Sequence, residues 1–305
     1  MIIVTGASGF LGRQVYKRFV NLGALPLLGS SYLDLRDNKA TLQYFSDLAE
    51  RDPIDGIINC AGHVGGIAHN NENPSTIAID NMRIGVNILE AAIKVKAKKL
   101  IQIHTVCSYP ANCSVPFKEE DLGNGLPEPT NRAYGLSKLC LAHMGIAAHK
   151  EYGLNVLNLF PVNMFGEGDN YENPHVIPAL IKKFFDAKRN NQPFVELLGD
   201  GTQTREFLPV KECARAIRLA YDNWNDPEPV NIGTGQDISI DELAKKIAKI
   251  IGYTGRFMWS RSLGGQQTRR LDTSKAKEFG FEAVCDFETL LRQMIDEYGE
   301  RIWSA

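Results

Sequence analysis

The chain has no long hydrophobic run: nowhere do the ~18 consecutive apolar residues of a membrane-spanning helix occur. Met1 leads directly into Ile2-Ile3-Val4, a strand pattern, with no basic segment of the kind that opens a secretory signal. A membrane partner is therefore not expected. Neither charge is in surplus: 34 Lys+Arg stand against 36 Asp+Glu among 305 residues, a net charge of −2. Bulk attraction to a nucleic acid is not expected either, although the balance leaves room for a local basic pocket. The six cysteines, Cys60, Cys107, Cys113, Cys140, Cys213 and Cys285, include no CxxC pair. In a chain this long they read as reduced thiols of a cytoplasmic protein, not as a disulfide frame or a metal site. No internal repeat or low-complexity tract is present.

What the sequence does have is alternation. Short apolar runs at Ile2–Thr5, Leu25–Leu28, Gly56–Cys60, Lys99–His104 and Asn155–Phe160 are separated by helical patterns at Phe10–Leu22, Asp37–Glu50, Pro74–Val95 and Thr130–Tyr152. Strands alternating with helices at this spacing predict βαβ units and a parallel sheet covered on both faces. The expected fold class is α/β, a Rossmann-type doubly wound parallel sheet. The pattern changes near Phe165. Helical segments at His175–Lys188, Lys211–Tyr221 and Ser239–Ile251, with strands at Phe194–Leu198 and Val230–Ile232, predict a smaller mixed α/β C-terminal substrate lobe. Ser239 and Glu242 fit a capping box. The expected division is 1–165 for the dinucleotide-binding domain and 166–305 for the lobe, with some later segments returning to the sheet.

Gly6-Ala7-Ser8-Gly9-Phe10-Leu11-Gly12 is GxxGxxG between the first strand and the first helix. In that position Gly6 serves a tight turn, Gly9 a close approach to a pyrophosphate, and Gly12 close helix–strand packing. The helix N-terminus adds free N–H groups and a positive dipole end. No acid follows the second strand before Asp34, and nothing there would repel a ribose 2′-phosphate, which favours NADP(H). Arg13 and Arg36 are the cations within reach. Further on, Tyr134-Gly135-Leu136-Ser137-Lys138 is YxxxK within a predicted helix, with both side chains on one face about 6 Å apart along the axis. A lysine beside a tyrosine favours the phenolate and prepares it for proton exchange with a carbinol or ketone. Thr105 closes the fourth strand and offers a hydroxyl to the same oxygen.

In the order GxxGxxG, strand-end Thr105, YxxxK, the chain resembles the extended short-chain dehydrogenase/reductase superfamily. Narrower blocks resemble the GDP-L-fucose synthase family: Gly62–Ile67, Val106–Pro110, Pro161–Gly166, His175–Leu180, Arg205–Leu208 and Asn231–Gly235. That resemblance implies an NADP(H)-dependent 3,5-epimerase/4-reductase acting on a GDP-linked 4-keto-6-deoxy sugar. It implies Cys107 as the base and His175 as the acid of epimerisation. It places Lys138, Pro161, Asn163, Met164 and His175 around the cofactor. It implies Lys183, Arg205 and Arg269 as contacts of the nucleotide sugar, and a homodimer built on the two long helices.

The chain also departs from the family. Val106 stands where a second serine is usual before the cysteine. Gly264-Gly265-Gln266-Gln267-Thr268-Arg269 replaces a loop that usually reads Asp-Gly-Thr-Pro-Arg-Lys. A reductase or epimerase/reductase for a related GDP-4-keto sugar, a UDP-sugar 4-epimerase with retained NAD, and a non-catalytic NADP sensor are the rival readings.

Overall fold

In the computed structural model, residues 1–172, 174–260 and 266–303 are described. The central sheet contains β1 (Ile2–Thr5), β2 (Leu25–Leu27), β3 (Gly56–Asn59), β4 (Leu100–Ile103), β5 (Val156–Pro161) and β9 (Val230–Ile232), in the order β2-β1-β3-β4-β5-β9. All of its pairings are parallel. The order reverses between β1 and β3, so a crevice opens there at the carboxyl ends of the strands. In doubly wound sheets that is where ligands bind.

Side-chain alternation explains how one sheet supports two layers. Ile2 and Val4 face one core and Ile3 the other; Ile58, Ile101 and Leu157 face the first, and Ile57, Leu100 and Val156 the second. The first layer holds α1 (Phe10–Phe19) against α7 (Val210–Asn223), which contribute Leu11, Val15, Phe19, Cys213 and Ile217. The second holds α2 (Asn38–Arg51), α4 (Pro74–Lys94) and α5 (Arg132–Tyr152), with Phe45, Ile88 and Ala148 buried. Burying both faces of each strand is what makes the strands read as continuous apolar runs.

A third core lies beyond the sheet. It gathers Phe165, Ile177, Phe184, Phe207, Leu243, Ile247 and Met294. These come chiefly from α6 (Val176–Arg189), α8 (Ile240–Ile251) and α9 (Phe287–Trp303). Two small sheets cover it. One pairs β7 (Phe194–Leu197) with β11 (Arg256–Trp259). The other centres on β8 (Thr204–Pro209), flanked by β6 (Asn163–Phe165), β10 (Asp237–Ser239) and β12 (Thr268–Arg269). The chain then crosses back: α7 packs on α1, and β9 completes the central sheet beside β5. Ser239 caps α8 by accepting from the Glu242 N–H at 3.1 Å.

The first helix is shorter than its pattern predicts. It stops at Phe19, and Val20–Leu22 form one tighter 3₁₀ turn. The α5 helix likewise starts at Arg132, after a 3₁₀ turn at Pro129–Asn131. A short helix, α3 (Ile67–Glu72), stands before α4. It and the strands β6, β8, β10, β11 and β12 have no counterpart in the periodicity.

Candidate functional site

The glycine motif forms the turn its spacing predicts. The Ala7 N–H donates to the Leu27 carbonyl at 3.1 Å and the Gly9 N–H to the Gly6 carbonyl at 2.9 Å. The Ser8 hydroxyl donates to the Leu28 carbonyl at 2.6 Å. Gly6 has φ +62°, and a Cβ there would lie 2.8 Å from the Ala61 nitrogen. A Cβ at Gly12 would fall onto the Gly6 carbonyl oxygen. Gly9 caps α1 without a side chain, and the first turn, which includes Phe10, Leu11 and Gly12, has no acid. Its N–H groups and positive dipole end are thus open to an anion. These residues fit a dinucleotide pyrophosphate.

Beyond β2, Arg36 is paired with Asp34 at 2.8 Å and with Asp80 at 3.2 Å. Asp80 also meets His63 Nδ1 at 3.0 Å, and His63 Nε2 meets His69 Nε2 at 3.0 Å. This chain of contacts was not foreseen from the sequence. Arg13 turns the other way, donating to the Gly168 carbonyl and, at 3.4 Å, to that of Glu167.

Tyr134 and Lys138 stand on α5, one turn apart and both buried. The helix docks closely because Gly135 presents no side chain: a Cβ there would strike the Cys107 carbonyl. Ser108 pins the contact by donating to the Gly135 carbonyl at 2.9 Å. The Tyr134 hydroxyl lies near Thr105, whose side chain favours the ionised phenol. Burial, aided by the nearby Cys107, pushes the Tyr134 hydroxyl well above the ordinary tyrosine range. The lowering expected from Lys138 is not found: the groups that act on Tyr134 besides burial are Cys107, which raises its pKa, and Thr105, which lowers it. Lys138 donates to the Ile103 carbonyl at 3.1 Å. Burial lowers its pKa to about 8, against a smaller opposing effect from Cys60.

Cys107 sits just past Thr105, whose hydroxyl oxygen accepts from the Cys107 N–H at 3.2 Å. Arg269 Nη1 lies 3.7 Å from the Cys107 sulfur, and Arg269 Nε donates to the Gln266 side-chain oxygen at 3.0 Å. On the neighbouring strand Arg205 is in register with Arg269. It donates to the Thr204 carbonyl at 2.7 Å and to that of Gln267 at 3.3 Å. Burial, and then the Arg269 charge, bring the Arg205 pKa to about 10, with Cys107 and Glu128 opposing. Five predicted site residues are thus brought together: Thr105, Cys107, Tyr134, Arg205 and Arg269.

His175 and Lys183 belong to α6, which packs against α8, α9 and β7. His175 is the N-cap of α6; its outer edge is exposed, and partial loss of solvation lowers its pKa. Lys183, two turns along α6, donates to the Glu196 carbonyl of β7 at 2.9 Å. It is bound to that strand and not to the arginine pair. Pro161 ends β5 opposite Ile232, and Asn163 donates to the Glu206 carbonyl at 3.3 Å. Met164 pairs with Leu208. This segment carries the chain from the sheet to the second lobe. Gly264 and Gly265 of the altered loop lie outside the described residues.

Two buried polar residues explain motifs whose role was not legible. The Glu206 carboxylate accepts from the N–H groups of Thr234 at 2.5 Å, Gly235 at 2.8 Å and Leu271 at 2.7 Å. Asn231 accepts from the Tyr109 hydroxyl at 2.7 Å and donates to the Phe117 and Asp272 carbonyls, each at 3.0 Å. For Asn231 the signal was a polar residue between Val230 and Ile232; Glu206, which follows Thr204 and Arg205, had no such signal. These two side chains tie β8, β9 and the segment after β12 into one frame beneath the site. Among the described residues, no group of three or more His, Cys, Asp or Glu side chains is placed to hold a metal, and no helix is long and apolar enough to cross a membrane.

The sheet, the glycine turn and the Thr105–Tyr134–Lys138 constellation define a nicotinamide-dinucleotide enzyme of the extended short-chain dehydrogenase/reductase class. The chain belongs to the NAD dependent epimerase/dehydratase family, whose model matches residues 2–233. It is 33% identical to the GDP-L-fucose synthase of Escherichia coli K12, covering 92% of this chain and 90% of that protein. It is also 33% identical to the GDP-L-colitose synthase of Yersinia pseudotuberculosis, covering 94% of each. The crystal structure of a GDP-L-fucose synthetase from Naegleria fowleri bound to NADP superimposes with a TM-score of 0.86 at 26% identity, covering 100% of this chain and 94% of that one.

Proposed function

We propose that the protein is an NADPH-dependent epimerase/reductase that converts GDP-4-keto-6-deoxy-D-mannose to GDP-L-fucose. The observation that carries this reading is the meeting of Tyr134, Thr105 and Cys107 at the carboxyl edge of the sheet, with Arg269 at the sulfur. An oxidoreductase that only reduced a ketone would need the first two alone. A thiol beside them serves carbon–hydrogen chemistry next to that ketone. Likeness to GDP-L-fucose synthases over nearly the whole chain supports the substrate.

In this reading Cys107 withdraws the protons at C3 and C5, both α to the C4 ketone. Tyr134 and Thr105 hold the C4 oxygen as negative charge develops on it, and His175 returns protons from the opposite face. NADPH, when bound along Gly6–Gly12 with Pro161, Asn163 and Met164 beside it, supplies hydride for C4. The raised pKa keeps Tyr134 protonated and so able to donate to the C4 oxygen. Lys138 holds the nicotinamide ribose and brings a positive charge beneath that oxygen. Arg205 and Lys183 bind the diphosphate.

The division of labour falls near Phe165, with 1–165 holding the cofactor and most of 166–305 the sugar nucleotide. The protein works in the cytoplasm as a homodimer through α4 and α5, which pack together and expose Ile79 and Leu136. Sedimentation at micromolar concentration checks this, and a monomer would contradict it.

The altered 264–269 loop favours one second reading, a related GDP-4-keto sugar, in keeping with the GDP-L-colitose synthase relative. Turnover of NADPH with a panel of GDP-4-keto sugars distinguishes the two. The 6-deoxymannose derivative is expected to be used best. Tyr134→Phe is expected to lower kcat by about 10²- to 10⁴-fold. No NADPH oxidation with any of these sugars would overturn the proposal.

A further inference from the structure

The Arg269 guanidinium is placed unlike a simple diphosphate ligand. It is 8% exposed, and two of its nitrogens are engaged inside the protein. Nε donates to the Gln266 side-chain oxygen at 3.0 Å, and Nη1 points at the Cys107 sulfur at 3.7 Å. Gln266 is in turn anchored, its amide donating to the Pro110 carbonyl at 3.3 Å. Pro110 lies three residues beyond Cys107, so the contacts form a closed circuit: Cys107, Arg269, Gln266, Pro110 and back along the chain. The backbone of Cys107 is held separately, by Thr105. What the circuit adds is control of the side chain. A cysteine has a single χ1 torsion, and a donor fixed at the sulfur selects one rotamer. The guanidinium fork suits this task, since one edge bonds the brace while the other reaches the thiol.

We infer that Arg269, braced by Gln266, is a positioning residue that aims the Cys107 sulfur at the substrate's α-carbons. The inference rests on the proposed role of Cys107 as base and adds to it. It also gives the altered loop a function: Gln266, one of the residues by which this chain departs from its family's pattern, is what holds the arginine in place. The neighbouring Arg205, in register with Arg269 and bonded to carbonyls on its own side, is left to meet the nucleotide sugar.

The two half-reactions separate this role from substrate binding. Exchange of C3 and C5 hydrogens with deuterated water, followed by NMR without NADPH, needs Cys107 but no hydride. Oxidation of GDP-L-fucose by NADP⁺, the reverse of reduction, needs Tyr134 and Lys138 but no proton transfer at C3 or C5. Arg269→Gln is expected to lower the exchange kcat by about tenfold or more relative to the hydride step of the same variant. Gln266→Ala, which leaves the charge but removes the brace, is expected to give a smaller split in the same direction. Arg269→Lys is expected to recover part of the exchange.

If Arg269→Gln raises KM in both half-reactions alike with no split in kcat, the arginine is a substrate ligand and the inference fails. Cys107→Ser tests the underlying reading separately. Retained exchange in that variant removes Cys107 as base, whereas lost exchange with no split in Arg269→Gln overturns only the positioning role. Near-ultraviolet circular dichroism of each variant separates misfolding from a local effect.

Discussion

At the scale of single residues, the site is governed by what burial does to two groups one helical turn apart. Tyr134 is pushed up and Lys138 down to about 8. Below pH 8 Lys138 is charged, and above it the site loses a positive charge. The limb of kcat/KM on the alkaline side, which reports the free enzyme, is therefore expected to fall above about pH 8. Lys138→Arg, which stays charged, is expected to lose that limb, and a wild-type profile flat to pH 10 would contradict the assignment. The stability consequence has a definite sign. A lysine whose pKa is lower in the folded state costs stability fully below the folded pKa, and the cost fades as pH rises towards its ordinary value. Lys138→Met removes this pH-dependent cost together with the donor to the Ile103 carbonyl, so its stability relative to the native protein is expected to decline from pH 7 to pH 10. Thermal unfolding at the two pH values checks this, alongside loss of turnover. The YxxxK spacing was legible in the sequence because helical geometry alone puts the pair on one face. The direction of the tyrosine's shift was not, because burial depends on Gly135 letting α5 close against the Cys107 turn.

At the scale of elements, the glycine turn and the Glu206 frame carry the geometry. Gly12→Ala would set a methyl group on the Gly6 carbonyl. It is expected to cost about 1–3 kcal/mol of stability and to weaken NADPH binding at least tenfold, measured by quenching of protein fluorescence. Unchanged binding would remove this turn from the cofactor site. Glu206→Ala would leave the Thr234, Gly235 and Leu271 N–H groups without their acceptor. It is expected to destabilise the protein by about 3–5 kcal/mol, read from urea unfolding. The strands of the central sheet could be read from the sequence because their apolar runs alternate with helical patterns, which marks even the three-residue β2 and β9. The strands β6, β10 and β12 could not, being two or three residues long and outside that alternation. Their partners lie far away in sequence, and a polar residue such as Glu206 carries no mark of the three backbone groups that converge on it.

At the scale of the whole molecule, the chain passes repeatedly between the sheet and the third core, so that Cys107 and Arg269 come from distant segments. Cys107 follows β4, whereas Arg269 ends β12, and their side chains meet. Motif order pointed to each residue singly. Their meeting follows from β12 lying beside β8, a pairing no local pattern announces. His175 and Lys183 stand on α6 in the third core, and substrate is expected to be gripped between that core and the sheet. The most direct test is the product formed from GDP-4-keto-6-deoxy-D-mannose and NADPH in deuterated water, examined by NMR. The expected product is GDP-L-fucose carrying solvent deuterium at both C3 and C5, with hydride from NADPH at C4. A product reduced at C4 but unlabelled and uninverted at C3 and C5 would contradict it.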